Sequence, residues 1–369
     1  MTALRLERLV VRGFRNLRDL DLSPGPRFNV LFGDNGQGKS NLLEAVYYLG
    51  SLSSFRGAPR EDLIAHDAER ALLAARFLVE PAGVKAQVRL SRKEGRALAL
   101  DEKRPRSSAA WVGALPMVLF HPGDVALAGG SPEARRAFLD RILEQMDATF
   151  ASAAGTYRKA LRSRNRLLKQ VGADRRSIVA YDELLASAGA VVGASRARLV
   201  EALKPRVEAA FAEVAGESIA LEVAYRPRVE PTVEAIRRAL SAALPKDLAR
   251  GFTADGPHGD DLALTVGARG ARHHASQGQH RMMVLALKVA ELEVLARTVG
   301  RVPVLLLDDV SSELDPIRNR RLFALFDRLG GQVFLTTTQR ELIGVEEARL
   351  DYRVEAGAVE RVEASGSKR

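Results

Sequence analysis

The sequence contains no cysteine. This excludes a disulfide framework and any thiolate metal site, and it suits a cytosolic protein. The six histidines, His273 and His274 among them, show no metal-ligand spacing. There is one tryptophan, Trp111, which reads as a core residue rather than a base-stacking platform. Lysine is scarce, at 10 of 56 basic residues, so the formal net charge of +10 is carried by arginine. Such an excess points to a polyanionic partner, nucleic acid or acidic lipid, or to compositional bias; where the charge sits decides between them. No apolar run approaches the roughly 20 residues that span a bilayer. The opening MTALRLERLVVRGF alternates apolar and charged residues and lacks a signal-peptide core. No internal repeat or low-complexity tract occurs apart from a short polar tail, ASGSKR. Together these features predict a soluble, cytoplasmic protein with no membrane partner. With 369 residues, 46% of them hydrophobic, there is enough chain for two domains, or for one interrupted by an insertion.

The pattern along the chain favours the insertion. Residues 4–32 hold short apolar runs split by SPGP, and residues 72–100 alternate, as strands of an antiparallel sheet do. Between them, KSNLLEAVYYLG has helical spacing. After residue 130 the texture becomes helical, with Ser131 placed to cap a helix and Pro132 at its first position. Strand-like ESIALEVAY and helix-like PTVEAIRRALSAAL follow. Strands and helices then alternate again at 261–266, 278–298, 303–309, 316–329 and 332–337. The expected architecture is α/β. It divides into the N-terminal half of a nucleotide-binding lobe (1–125), an inserted, mainly helical lobe (126–255) and the lobe's C-terminal half (256–369).

Three motifs carry chemistry. The first, Gly33-Asp34-Asn35-Gly36-Gln37-Gly38-Lys39-Ser40-Asn41, fits G-x-x-x-x-G-K-[ST] between a strand and a helix. Glycines let backbone N–H groups curl around phosphates, and the helix beginning near Lys39 points its positive end at them. Lys39 neutralises β/γ charge, and the Ser40 hydroxyl is a ligand for Mg²⁺. The second, RVPVLLLDDV, is an apolar strand ending in two acids. Adjacent side chains on a strand alternate, so Asp308 can face the metal while Asp309 faces the attacking water. The third, Ser276-Gln277-Gly278-Gln279, opens a strongly helical segment and matches the S-x-G-Q core of an ABC-type signature. It is a second anion-binding helix start in the same chain. Two subunits set head to tail would sandwich ATP between the phosphate loop of one and the signature of the other. SSELD follows the two-acid strand as a D-loop does, with Ser312 and Asp315. Asp315-Pro316 also reads as an ordinary helix cap.

With these residues in place, the chain resembles the RecF family, bacterial recombination-mediator ATPases related to SMC-type heads. The resemblance runs through GFRNL (13–17), GDNGQGKSNLLEAVYYLGSLSSFR (33–56), SPEARRAFLD (131–140), YRKALRSRNRLL (157–168), GPHGDDL (256–262), SQGQHR (276–281) and LLLDDVSSELD (305–315). It implies an ABC-type P-loop ATPase lobe with mixed sheets and a helical second lobe. It also implies an ATP-dependent homodimer on double-stranded DNA and single-/double-strand junctions. Partners RecO and RecR, and RecA loading in gap repair, are likewise implied by the resemblance alone. Arg15 and Asn16 would lie near the adenine; a charged strand edge is the rival reading. Gly259 replaces the arginine of the family's GPHRDD, Pro122-Gly123-Asp124 departs from proline-glutamate-aspartate, and no glutamine matches an ABC Q-loop. Thr336 to Thr338 either bond the γ-phosphate or finish a strand. By position, His258 and His280 are site neighbours.

The charge is concentrated. Residues 157–176 carry eight basic side chains and one acidic. On a helix, Arg158, Arg162, Arg166 and Lys169 share a stripe, and Lys159 and Arg164 add to the DNA-binding set. Such a surface grips phosphates without reading bases; contact with RecO or RecR is a rival use. A transporter ATPase subunit is disfavoured by the insertion and the basic helix. An SMC head with long arms is disfavoured because two arms of about 50 residues would reach only about 75 Å. A non-catalytic scaffold using ATP as a structural ligand stays open.

Overall fold

The computed structural model describes all residues except 1, 81, 171, 173, 216–219, 268, 310–315, 346–347 and 363–369. The expected D-loop residues Ser312 and Asp315 lie outside the described residues.

The chain forms two compact units, Met1–Asp124 with Glu291–Arg369, and Val125–Ala290. In the first, a six-stranded sheet runs in the order Ala358–Val362, Arg349–Glu355, Phe28–Phe32, Val333–Thr337, Val304–Leu307, Met117–Phe120. All neighbours are parallel except the edge strand Ala358–Val362. Val304–Leu307 is buried throughout, as an interior parallel strand covered on both faces must be. A separate antiparallel sheet pairs Leu20–Leu22, Arg5–Arg12, Arg70–Val79, Ala82–Ser91 and Gly95–Leu100 in that order. The phosphate-loop helix Lys39–Ser51 packs against strands of both sheets, and its Leu42, Leu43, Val46 and Leu49 are buried in their common core.

The second unit is built on the helices Pro132–Met146, Ala148–Leu168, Asp182–Ala215 and Val233–Arg250. It also contains the strand Asp261–Val266, paired antiparallel with Leu221–Arg226. This moves the expected boundary. Residues 256–290 group with the helical unit, not with the ATPase lobe, because that strand pairing and the Arg135–Asp261 ion pair (2.7 Å) tie them there. The division falls inside the helix Gln277–Val299. Ser131 does occupy a helix N-cap position with Pro132 following, but its side chain makes no cap hydrogen bond. Val233–Arg250 continues through Pro245, past the expected stop. The segment Arg175–Val214 is long and apolar enough by composition to cross a membrane. It contributes Ile178, Leu185, Val192, Leu199 and Val207 to the unit's interior and carries the buried Asp182 and Arg196, so its apolarity serves the core.

Candidate functional site

The phosphate loop leaves the C-terminal end of Phe28–Phe32, and the two acids leave that of Val304–Leu307. Val333–Thr337 runs between these strands, which brings Thr336 at its C-terminal end next to the two acids. The geometry is tight. Ser40 Oγ donates to Asp308 Oδ1 at 2.7 Å, and Thr336 Oγ1 donates to the same oxygen at 2.8 Å. The Asp309 N–H donates to Thr336 Oγ1 at 2.9 Å. Asp309 has φ +52, a left-handed conformation that non-glycine residues seldom adopt. Such backbone strain is held by the surrounding contacts and concentrates at functional sites.

Lys39 Nζ donates to the carbonyls of Gly33 (2.6 Å) and Asp34 (2.7 Å), closing the loop on itself. Burial lowers the Lys39 pKa, against the opposing pull of Asp309, Asp308 and Asp34. Gly33 has no alternative, because a Cβ there would lie 2.3 Å from the Val354 carbonyl oxygen. Gly38 sits at the helix N-cap with φ 112 and offers no side-chain cap, which leaves the first N–H groups of the helix for an anion. Gln37 is held outside by the turn of the edge hairpin: its side chain accepts from Ala356 N (2.7 Å) and its carbonyl from Gly357 N (2.9 Å).

These groups enclose an open cavity of about 210 Å³, lined by Asn35, Gly36, Gly38, Lys39, Ser40, Asn41, Arg56, Asp309, Thr336 and Thr338. Whole small-molecule pockets run from about 300 Å³ upward. This smaller, open space, lined by Lys39, Ser40 and Arg56, suits an anion of phosphate size.

Arg56 also lines this cavity, with no motif to mark it. It lies in SLSSFR, quoted above without a role. Arg56 Nη1 donates to Asn41 Oδ1 at 2.7 Å, and its guanidinium lies over the Phe55 ring at 5.4 Å. Asn41 Nδ2 in turn donates to Asn16 Oδ1 (2.6 Å), and Asn16 braces the Gly36 carbonyl at 3.4 Å. Asn16 thus supports the loop from behind. Arg15 is committed elsewhere: it pairs with the buried Glu44 (2.9 Å) and donates to the Asp62 carbonyl (3.0 Å). Neither Arg15 nor Asn16 lines the cavity.

The second unit holds the other predicted residues. Ser276 and Gln279 cap the helix Gln277–Val299 reciprocally: Ser276 N donates to Gln279 Oε1 (2.9 Å) and Gln279 N to Ser276 Oγ (3.2 Å). Ser276, Gln277 and Gly278 are exposed, so this helix start is open to an external anion. His258 and His280 are engaged within their own unit. His258 meets Tyr157 Oη at 2.7 Å and the Thr253 carbonyl at 2.9 Å, and His280 meets the Ala271 carbonyl at 3.0 Å. Asp260 of GPHGDDL anchors that region by accepting from Tyr225 Oη, Arg228 N (2.8 Å) and Arg196 Nη1 (3.4 Å). A side chain at Gly259 would press on Arg228, whose Cγ lies 3.1 Å from the site of a Cβ.

On the basic helix Ala148–Leu168 and just past it, Arg158, Lys159, Arg162, Arg166 and Lys169 are exposed. Arg158 pairs with Glu144 at 3.0 Å. Arg164 corrects the expectation of a DNA contact. It is 0% exposed and bridges Asp182 (2.9 Å), Asp247 (2.7 Å) and Thr253 Oγ1 (2.8 Å). It lies on the core face with Tyr157, Ala160 and Leu168, where helical spacing puts it.

A family profile described as RecF/RecN/SMC N terminal domain matches residues 5–358. The chain is 43% identical to the DNA replication and repair protein RecF of Anaeromyxobacter sp. strain Fw109-5, over 96% of this chain and 99% of that one. The chain belongs to the RecF family. The RecF of Myxococcus xanthus is 40% identical over 92% of both chains. Among solved structures, the recombination mediator protein RecF of the RecFOR pathway, in its RecF-ATP form, superposes with a TM-score of 0.89 at 30% identity over 98% of each chain. An Smc head domain from Pyrococcus furiosus matches with a TM-score of 0.57 at 18% identity, over 97% of this chain and 96% of that one. The Smc likeness concerns the ATPase fold alone.

Proposed function

We propose that this RecF-family protein is an ATP-gated DNA clamp of recombinational repair, in which two copies close on DNA when ATP is bound and reopen after slow, DNA-stimulated hydrolysis. The observation that carries it is the joint attachment of Ser40 and Thr336 to Asp308, with Asp309 on the same strand end. The oxygens of Ser40, Asp308 and Thr336 form a hard donor set beside a lysine, which fits Mg²⁺. Ser40 and Asp308 would hold the ion, which when bound neutralises phosphate charge. Lys39 exchanges its two carbonyl partners for phosphate oxygens, and the helix N–H groups take the remaining negative charge. Arg56 faces the same cavity and adds a second cation. Asp309 orients and polarises the attacking water. Asn16 braces the loop through the Gly36 carbonyl and Asn41, and the adenine would lie outside the phosphate cavity, on the side where Asn16 and Arg15 were expected.

The cavity is open rather than enclosed, and a second exposed helix start stands at Ser276. Both features support a composite site, with the Ser276–Gln279 turn of one copy closing on ATP held by the other. The exposed Arg158, Lys159, Arg162, Arg166 and Lys169 support contact with the phosphate backbone of double-stranded DNA and of its junctions with single strands. On the strength of the family resemblance, RecO and RecR as partners, RecA loading and a cytoplasmic, nucleoid-associated location are part of this proposal. Single-turnover ATP hydrolysis with and without duplex DNA tests the reading. DNA-stimulated turnover supports the clamp, whereas bound ATP that is never turned over leaves a scaffold. Sedimentation of Asp309→Asn with ATP tests the dimer, and a monomer at every concentration refutes it.

A further inference from the structure

Three large apolar side chains are well exposed among the described residues, Val179, Leu184 and Phe252, and Phe252 (47% exposed) is the aromatic one. It stands in the loop after Val233–Arg250, and that loop is fixed on both sides of it. Gly251 ends the helix with φ 75, and its N–H donates to the Asp247 carbonyl at 2.8 Å. Thr253 N and Oγ1 both donate to Asn165 Oδ1, at 2.8 and 2.7 Å, and the buried Arg164 grips Thr253 Oγ1. Asn165 and Arg164 belong to the basic helix. The pin therefore ties the loop that carries Phe252 to this helix, and Gly251 abuts the stem of the exposed Lys169, with 3.5 Å from a would-be Cβ to Lys169 Cγ.

A solvent-facing ring on a pinned loop next to an exposed cation combines the two parts of a surface that holds single-stranded nucleic acid: charge for the backbone and a face for a base. On an intact duplex the ring has nothing to stack on, because the bases are already stacked inside the helix. We propose that Phe252, next to Lys169 at the end of the basic helix, is a stacking platform for an unpaired base, the residue through which this surface would tell a single-stranded stretch from duplex. The inference rests on the DNA reading of the basic helix given above.

The test is fluorescence anisotropy of the full chain with ATP on continuous duplex, single-stranded and gapped DNA. Phe252→Ala should weaken binding to gapped and single-stranded DNA by about 5- to 100-fold and leave the duplex unchanged. Phe252→Trp should retain binding to within a few-fold. The double variant Arg166→Ala/Lys169→Ala should weaken all three and flatten the salt dependence. If the double variant binds every DNA normally, the DNA reading of this helix fails, and this inference with it. If the double variant is weakened but Phe252→Ala is equally affected on all three DNAs, or on none, only the stacking platform is overturned. Unchanged DNA affinity in Phe252→Ala together with loss of a protein contact would make this residue a protein-docking one and would also overturn it.

Discussion

Arg164 and Arg162 lie two residues apart on one helix, and the structure assigns them opposite fates. Arg164→Ala removes a guanidinium with no exposed surface that holds two carboxylates, Asp182 at 2.9 Å and Asp247 at 2.7 Å, and the hydroxyl of Thr253. Both acids would stay buried without their counter-charge. Burial already raises the Asp182 pKa even with the arginine present. Breaking a buried pair in this way costs about 3–5 kcal/mol. In a unit of this size each kcal/mol moves Tm by about 2–4 °C, so the expected drop is about 6–20 °C. Arg162→Ala removes an exposed cation and should change stability by less than about 0.5 kcal/mol. On DNA the order reverses. Arg162→Ala should lower affinity and reduce the slope of log K against log salt by about 1, whereas Arg164→Ala, assayed on its folded fraction, should keep the wild-type slope. Differential scanning calorimetry and salt-titrated anisotropy check both. An Arg164→Ala protein with unchanged Tm and a reduced salt slope would refute the reasoning, because it would show that this arginine reaches solvent and phosphate.

Asp309→Asn should retain ATP binding and slow hydrolysis by about 10²–10³, the usual loss for one positioned transition-state group, measured in single-turnover assays. Arg56→Ala should weaken ATP binding with no loss of Tm, read by nucleotide titration, because its contacts are those of the cavity rim, whereas Lys39→Ala should remove most of the binding. Ser40→Ala should raise the Mg²⁺ concentration needed for half-maximal turnover, and chelation should abolish turnover in the wild type. His258 is pushed below its ordinary pKa, chiefly by burial. Its neutral form donates from Nε2 to the Thr253 carbonyl and accepts at Nδ1 from Tyr157. The unfolded chain therefore takes up the proton first. The stability that His258 contributes above about pH 6.5 is lost as pH falls toward the folded-state value. His258→Gln, which can make both bonds without titrating, should flatten the fall of Tm between about pH 7 and 5.

What was legible in the sequence is what local spacing dictates. The phosphate loop needs its glycines in order, and the strand that ends in Asp308 must be apolar because it is buried on both faces, so both could be read directly. The helices 278–298 and 316–329, read from apolar periodicity, match Gln277–Val299 and Pro316–Leu329 closely. Val233–Arg250 extends beyond the helix-like PTVEAIRRALSAAL and through Pro245, although a proline argues for a helix end; Leu240 and Leu244 before it are buried. The boundary at 255 was misplaced because strand pairing is not local: nothing in DLALTV says that its partner is Leu221–Arg226.

Arg164 is the more instructive error. Counting basic residues between 157 and 176 treated charge as a surface property, but the same periodicity that puts Tyr157, Ala160 and Leu168 inside puts Arg164 inside with them. A helical wheel would have excluded it from the DNA face. It would not have supplied its partners, since Asp182 and Asp247 come from elsewhere in the chain. Arg56 shows the converse limit. Its approach to the phosphate cavity depends on Asn41 and Phe55, and no spacing rule links a loop arginine to a cavity whose opposite wall is formed some 250 residues later by Asp309. Local motifs thus locate the candidate phosphate site. The residues that tune it, and those that brace the DNA face, become visible only when the strands and helices are brought together.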